Sequence, residues 1–355
     1  MSGSLTIVLL LKDRIEFTKR WMSYMDANKC PYKIIIADGG RDQSIEQHLN
    51  NQDNYHNLNY EYIRYPYDEV LEDFYSKYHN VMNRVNSDYV IQADNDDFFI
   101  LDRIPVLIKF LDSNVDYVGV RGGHVDFKVY DKSHNQLNII AGTHYTAIQR
   151  LSPSIDMSDA ITRINYLCNN IAKYDYYSNW YCLFRTKTVC KIWNTLINIS
   201  IKEPIIIEML MHIFILEKGK IMITDFPYYL RQTGTSQYGD HLITENDFLQ
   251  RCINRGALSE FKITVDQFLV DYSREDKKEI FNSLANWLQE FIVNINSNNK
   301  RYKNSMFYRL SSKIRSKFII GKFIELIYIY FSNLTSDSVK RKVVELKEVE
   351  NYIIK

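Results

Sequence analysis

Cysteine is sparse and unpaired in this chain. The five present, Cys30, Cys168, Cys182, Cys190 and Cys252, contain no CxxC pair and are odd in number. That spacing excludes a zinc site or a disulfide framework and implies a reducing compartment. Also lacking is any window of about 18 uncharged apolar residues, so no membrane-spanning helix is expected. The first apolar run begins within a few residues of Met1, so no signal peptide is expected. Neither sign of charge dominates: 44 Lys and Arg against 43 Asp and Glu leave a net charge of +1. Bulk charge therefore gives no argument for nucleic acid as a partner. There is no internal repeat and no low-complexity tract.

What is present is a chain of 355 residues, 46% hydrophobic and 25% charged. This is enough for a packed core in one large domain with an appendage, or in two domains. Aromatic residues make up 14%, including 27 tyrosines. Such an excess suits sugar-stacking or membrane-interface surfaces, and equally the filling of a core.

Periodicity divides the chain. Continuous apolar runs at 5–11 and 32–37 read as buried strands, and 58–64 as a third. Helical spacing marks 16–27, 42–49 and 68–85. A fourth strand at 88–93 completes an alternation that implies βαβ units and a mostly parallel sheet. Right-handed crossovers then bring Asp13, Asp38 and Asp94 to one edge of that sheet. Further on, helices are expected at 104–111, 159–173, 187–197 and 204–217. Short strands are expected at 117–121, 125–130, 220–224 and 228–231, with polar turns over 131–160. From about 243 the pattern is helical, and 276–295 is strongly amphipathic.

Residues 88–99 are the most informative. The apolar run Tyr89 to Ala93 opens onto Asp94, Asn95, Asp96 and Asp97. Carboxylates crowded at a strand end repel one another unless something positive lies between them. A hard divalent cation carrying phosphates, Mg²⁺ or Mn²⁺, is the usual solution, and strand ends are where open α/β sheets bind ligands. The plainer alternative is a solvated acidic turn with Asp97 or Asp102 capping the next helix.

Three pieces in order, the opening strand Leu5 to Leu11 with its exit Lys12-Asp13-Arg14, the strand ending Ile36-Ala37-Asp38-Gly39-Gly40, and Asp94-Asn95-Asp96, resemble the GT-A nucleotide-sugar glycosyltransferases. The family-2-like bacterial enzymes are the nearest branch, and Asp94-Asn95-Asp96 matches their DXD motif. The resemblance spans about residues 4–235. It implies an α/β fold of GT-A type, Rossmann-like, with a mostly parallel central sheet flanked by helices and an α-helical C-terminal extension. The catalytic domain would be 1–240, with a nucleotide-binding half at 1–100 and an acceptor half at 101–240. Residues 241–355 would form the helical extension.

By position, the resemblance sets Lys12, Asp13 and Arg14 beside the nucleotide base, Asp38 on the base edge, Asp94 and Asn95 at the donor, and Asp96 on Mn²⁺ or Mg²⁺. Asp97 is either a second ligand or a helix cap, and Asp38 is alternatively a turn-forming residue before Gly-Gly. Inverting members carry a carboxylate base on a helix that ends at a glycine. Glu208 lies eleven residues before Gly219, although Ile207 replaces the family's preceding glutamate. Glu203 competes for the role, or is a charge at a helix N-terminus. Arg231 would face the leaving diphosphate, and His241 would be a metal ligand, a phosphate donor or a solvated side chain. Trp180 is either an acceptor-sugar platform or core. His124 and His144 fall in the segment that would cover the donor and receive no role.

The implied activity is inverting transfer from a nucleotide-sugar donor, UDP-sugar favoured, to a hydroxyl of a glycan or lipid-linked acceptor in surface polysaccharide synthesis. A non-catalytic nucleotide-sugar or glycan-binding scaffold on the same fold is the alternative. A sugar nucleotidyltransferase ranks low, because Lys12 to Phe17 contains no glycine to cradle a triphosphate. Residues 300–322 hold eight Lys or Arg and no acid, interleaved with aromatic and aliphatic residues and followed by an apolar run to 331. This stretch fits a peripheral helix on an anionic membrane surface, or a solvated, packed or homo-oligomer face. The expected location is cytoplasmic, peripheral at the inner face of the cell membrane.

Overall fold

The structure is a computed structural model and describes residues 3–130, 142–145, 152–174, 176–198, 204–232, 257–284 and 286–287. The chain begins with the expected alternation: β1 (Leu5–Leu11), α1 (Ile15–Ala27), β2 (Lys33–Asp38), α2 (Gln43–Asn50), β3 (Tyr60–Arg64), α3 (Leu71–Met82) and β4 (Tyr89–Ala93). There follow β5 (Phe98–Phe99), α4 (Ile104–Ser113), β6 (Tyr117–Tyr130), β7 (Gly142–Tyr145), α5 (Ala160–Tyr174), β8 (Leu183–Arg185), α6 (Thr186–Leu196), α7 (Pro204–Lys218), β9 (Lys220–Gln232) and α8 (Ala257–Phe268). A further helix occupies 274–284.

Among the described residues, the nine strands join one sheet in the order β3-β2-β1-β4-β8-β6-β9-β5, with β7 paired to β6. The first four are mutually parallel, and β8 enters antiparallel between β4 and β6. The sheet thus runs unbroken across residue 100, so the residues on either side of it share one scaffold.

Strand alternation sends side chains to two cores. Val8, Leu10, Ile35, Ala37 and Val90 pack under α3, α5, α6 and α7, whereas Ile7, Leu9, Leu11, Ile34, Ile36 and Ile91 pack under α1, α2 and α4. Both faces are covered, which is why these strands read as continuous apolar runs rather than alternating ones.

Two expectations differ from the structure. The pairs of short strands expected at 117–130 and 220–231 are each one long strand, β6 and β9, which lie parallel with register shifts near Gly123. Their glycines and Pro227 mark bulges, not chain reversals. Gly122 is required because a Cβ there would lie 2.4 Å from the Phe226 carbonyl oxygen.

Helix α7 is apolar nearly all round because it is sandwiched. Met209, Leu210, Ile213, Phe214 and Leu216 are buried, and Phe268 of α8 stacks on Phe214 with ring centroids 3.6 Å apart. Arg163 closes the end of α7, donating from Nε to the Leu216 carbonyl at 2.8 Å. A guanidinium there satisfies an orphan carbonyl and complements the helix dipole. The described helices beyond 241 therefore pack on the catalytic scaffold, and Asn165 Nδ2 donates to Glu279 Oε1 at 2.6 Å.

Candidate active site

The register that pairs Leu11 with Asp38 and Leu9 with Ala93 ends β1, β2 and β4 along one edge. The loops leaving that edge are clasped to each other. Asp13 Oδ1 accepts from the backbone amides of Arg41 at 2.6 Å and Asp42 at 3.0 Å. A Cβ on Gly40 would meet the Asp13 amide nitrogen at 2.4 Å. Asp13 and Arg14 both take left-handed backbone, φ 60° and 68°, which is disfavoured for residues with a Cβ. Lys12 Nζ donates to the Asp68 carbonyl at 2.5 Å. Beneath lies a buried ion pair, Lys77 with Asp68, and Lys77 Nζ also donates to the Leu11 carbonyl at 2.8 Å.

Asp38 is 0% exposed. Its Oδ2 accepts from the Tyr62 hydroxyl and from Arg64 Nη1, each at 2.7 Å, and its Oδ1 from the Gly40 amide at 2.7 Å. The register Asp38–Arg64 on β3 makes this set inevitable. Asp38 therefore orders the rim of the cleft through Tyr62 and Arg64, rather than offering an open carboxylate to a base.

The four residues after β4 have four different surroundings. Asp94 is half-buried and accepts from the Tyr181 hydroxyl at 2.6 Å. Burial, then the Asp96 charge, pushes its carboxyl up to about 6, with Tyr181, Arg14 and Arg231 pulling the other way. Asn95 turns inward to Thr18 Oγ1 at 3.1 Å, which fixes α1 and leaves its amide away from a donor. Asp96 is 1% exposed and pairs with Arg14 Nη2 at 3.2 Å. Asp97 is neither a cap nor an open ligand. It accepts from the Tyr229 hydroxyl and, at 2.7 Å, from the Gln232 amide, pinning the turn to β9. Burial, then Asp96 and Asp94, raises its pKa well above the usual range.

Glu208 on α7 and Arg231 near the end of β9 lie near enough to this turn to interact electrostatically with Asp94. The Glu208 carboxyl is pushed up to about 7 by burial and then by the Asp94 charge, with Arg231 opposing. Arg231 is exposed by surface area; burial acts to lower its pKa, and Tyr229 and Tyr181, then Asp97 and Asp126, outweigh it and raise the value. The structure thus gathers Arg14, Asp94, Asp96, Glu208 and Arg231 around one edge. Lys12, Asp13 and Asp38 lie one loop away. His241 falls outside the described residues, as do Glu203 and the basic stretch 300–331. His124 is buried in β6, and His144 lies in β7.

Trp180 does not join this group. It is 8% exposed, with its ring 6.0 Å from those of both Tyr78 and Trp193. Its faces serve the core under α3 and α6, so it offers no platform for an acceptor sugar. The aromatic residue at the site is its neighbour Tyr181, stacked on Tyr229 at 4.3 Å. Arg20 also went unsignalled. Within an amphipathic helix it reads as a solvated cation, yet it packs over Phe17 and Phe98, donates to Gln232 Oε1 and senses Asp96 and Asp97. Burial lowers its pKa to about 10.

Among the described residues, no three His, Cys, Asp or Glu side chains gather as a ready-made metal cage. A diphosphate-bound Mg²⁺ or Mn²⁺ needs only one or two carboxylates, and Asp96 with Asp94 meets that requirement. No helix among the described residues is long and apolar enough to cross a membrane.

No family model and no curated protein matches the sequence. In three dimensions the chain is similar to S. aureus TarS 1-349: TM-score 0.52, 11% identity, covering 85% of this chain and 75% of that one. The TarS complex with UDP-GlcNAc gives 0.54 at 11% identity over 86% and 77%, and that with UDP gives 0.51 at 12% over 87% and 75%. TarS is a GT-A-like glycosyltransferase. The chain has the GT-A fold, an α/β sheet flanked by helices, as its motifs implied.

Proposed function

We propose that this protein is a glycosyltransferase that moves a sugar from a nucleotide-sugar donor, a UDP-sugar in the first instance, to a hydroxyl of a glycan or lipid-linked acceptor, with inversion. The observation that carries this reading is Glu208. Its half-buried carboxyl is pushed up to about 7 by burial and then by the Asp94 charge, with Arg231 opposing. A general base works best when its pKa lies near the operating pH. Glu208 would accept the acceptor's hydroxyl proton as that oxygen attacks the anomeric carbon. Arg231, exposed and permanently charged, would meet the charge that develops on the departing diphosphate. Asp96, with Asp94, would hold Mn²⁺ or Mg²⁺, which stabilises the same leaving group. The choice of UDP is supported by the UDP and UDP-GlcNAc complexes of the structurally similar TarS.

Surface polysaccharide synthesis, at the inner face of the cell membrane, is the proposed setting. The acid-free basic stretch at 300–322 supports an anionic membrane surface as partner, with self-association as the competing use.

Melting-temperature shifts with UDP, GDP and CMP in the presence of Mn²⁺, followed by turnover on a panel of UDP-sugars, test the reading. A shift with UDP and turnover lost in Asp96→Ala are expected. Full turnover in Asp96→Ala would sink the metal assignment. A UDP shift without turnover on any donor would favour the alternative, a non-catalytic nucleotide-sugar or glycan-binding protein. No shift with any nucleotide would end both.

A further inference from the structure

Arg14 stands at the start of α1, where its backbone serves the helix and its side chain does not. It precedes α1 in left-handed backbone, φ 68°, and its side chain makes no capping bond to that helix. Its neighbour Asp13 shares the conformation and ties the loop to Arg41 and Asp42. What the backbone of Arg14 achieves is to send the guanidinium over the Phe17 ring, 3.9 Å from its centroid, onto Asp96 Oδ2 at 3.2 Å. The Arg14 carbonyl meanwhile accepts from the Thr18 amide at 3.2 Å, Thr18 Oγ1 at 3.4 Å and Asn95 Nδ2 at 3.5 Å, so one residue both starts α1 and aims a cation at the acidic turn.

The two ends of this ion pair are unequal. The Asp96 side chain is 1% exposed, whereas that of Arg14 is 29% exposed. The flanking carboxylates are answered by tyrosine hydroxyls and a backbone amide, Asp94 by Tyr181 and Asp97 by Tyr229 and Gln232. Asp96 is answered by a full charge on a side chain with a path to solvent. Arg20, the second guanidinium nearby, is anchored to Gln232 and packed between phenylalanines. Arg20 is fixed background, and Arg14 is the cation able to leave.

We propose that Arg14 is an exchangeable counter-ion. It neutralises Asp96 in the free protein, and it yields that carboxylate to a divalent cation when a nucleoside diphosphate arrives, turning its guanidinium onto a phosphate oxygen. This rests on the nucleotide-sugar reading above. The planar fork of arginine suits both partners, carboxylate and phosphate. A consequence is thermodynamic coupling. Metal alone must displace Arg14, whereas a nucleotide that engages Arg14 removes the competition, so each ligand tightens the other by the same factor.

The test is Mn²⁺ binding to the full chain, read from the free-ion paramagnetic resonance signal, with and without UDP, for wild type, Arg14→Gln, Arg14→Lys and Arg14→Gly. Arg14→Gln is expected to bind Mn²⁺ alone about tenfold more tightly, because a competing positive charge is gone. It is also expected to lose most of the enhancement that UDP gives the wild type. Arg14→Lys, which keeps the charge but not the fork, should bind Mn²⁺ alone as weakly as wild type. Arg14→Gly relaxes the left-handed residue and should match Arg14→Gln, which covers the case in which the glutamine variant folds poorly. Equal Mn²⁺ affinity in wild type and in the Gln and Gly variants, Mn²⁺ binding by none of them, or an undiminished UDP enhancement would each overturn the proposal. If UDP binds no variant, the glycosyltransferase reading fails separately, and the Mn²⁺-only comparison still decides what Arg14 does.

Discussion

Replacing Glu208 by glutamine should make the protein more stable at alkaline pH while ending turnover. The Glu208 carboxyl moves from an ordinary value near 4.5 to about 7 on folding. The folded state thus holds this proton more tightly than the unfolded chain, so stability is lost as pH rises from 4.5 to 7 and stays lost above. At one pKa unit per about 1.4 kcal/mol, the penalty at pH 8 has a ceiling of about 3.5 kcal/mol. At pH 5 it is under about 1 kcal/mol, because Glu208 is then still protonated in the fold. Glutamine keeps the shape without the charge. For 355 residues, unfolding entropy of roughly 0.7 kcal/mol per kelvin turns the pH 8 ceiling into about 5 °C in Tm, shrinking to about 1 °C at pH 5. Melts of both proteins at the two pH values give the measurement. Wild-type kcat/KM should rise with pH through about 7 as the base ionises, and the variant should lose activity by a factor on the order of 10²–10⁴. An equal Tm offset at both pH values would refute the buried-charge reasoning. A variant retaining a tenth or more of wild-type turnover would refute the role as base.

Three further substitutions separate scaffold from chemistry. Lys77→Met leaves Asp68 buried without its cation and should cost about 3–5 kcal/mol, seen as a lower denaturant midpoint. Gly40→Ala drives a Cβ onto the Asp13 backbone; it should disturb the loops after β1 and β2 together and weaken UDP binding more than it lowers Tm. Trp180→Ala should behave as a core truncation of about 3–5 kcal/mol, and KM for the acceptor should be unchanged in the fraction that remains folded.

Most of the scaffold was legible because its signals are local and repeated. Leu5–Leu11 and Lys33–Asp38 are covered on both faces, so nothing but a buried strand fits them. The helices α1, α3, α5 and α6 show their apolar spacing over ten or more residues, and α7 is a long apolar run. Strands β5 and β8, of two and three residues, are too short to carry a period. The single long strands β6 and β9 were hidden by turn-type residues that in fact sit at bulges. Asp96, Glu208 and Arg231, singled out by motif order and spacing, are brought to one edge of the sheet. The partners that set their environment were not legible: Arg20, Tyr181 and Tyr229 carry no local mark, and only the closing of the sheet brings them to the acidic turn.

The clasp between Asp97 and β9 affects how substitutions in this region are to be interpreted. Asp97 follows Asp96 directly and grips the strand that bears Arg231 through a tyrosine and a main-chain amide. Cutting that grip would release the acidic turn and the arginine together. An inactive Asp97 variant would therefore carry no information about cation ligation. Its diagnostic sign would be a joint weakening of donor affinity and of the transfer step, where loss of Asp96 alone should spare the position of Arg231.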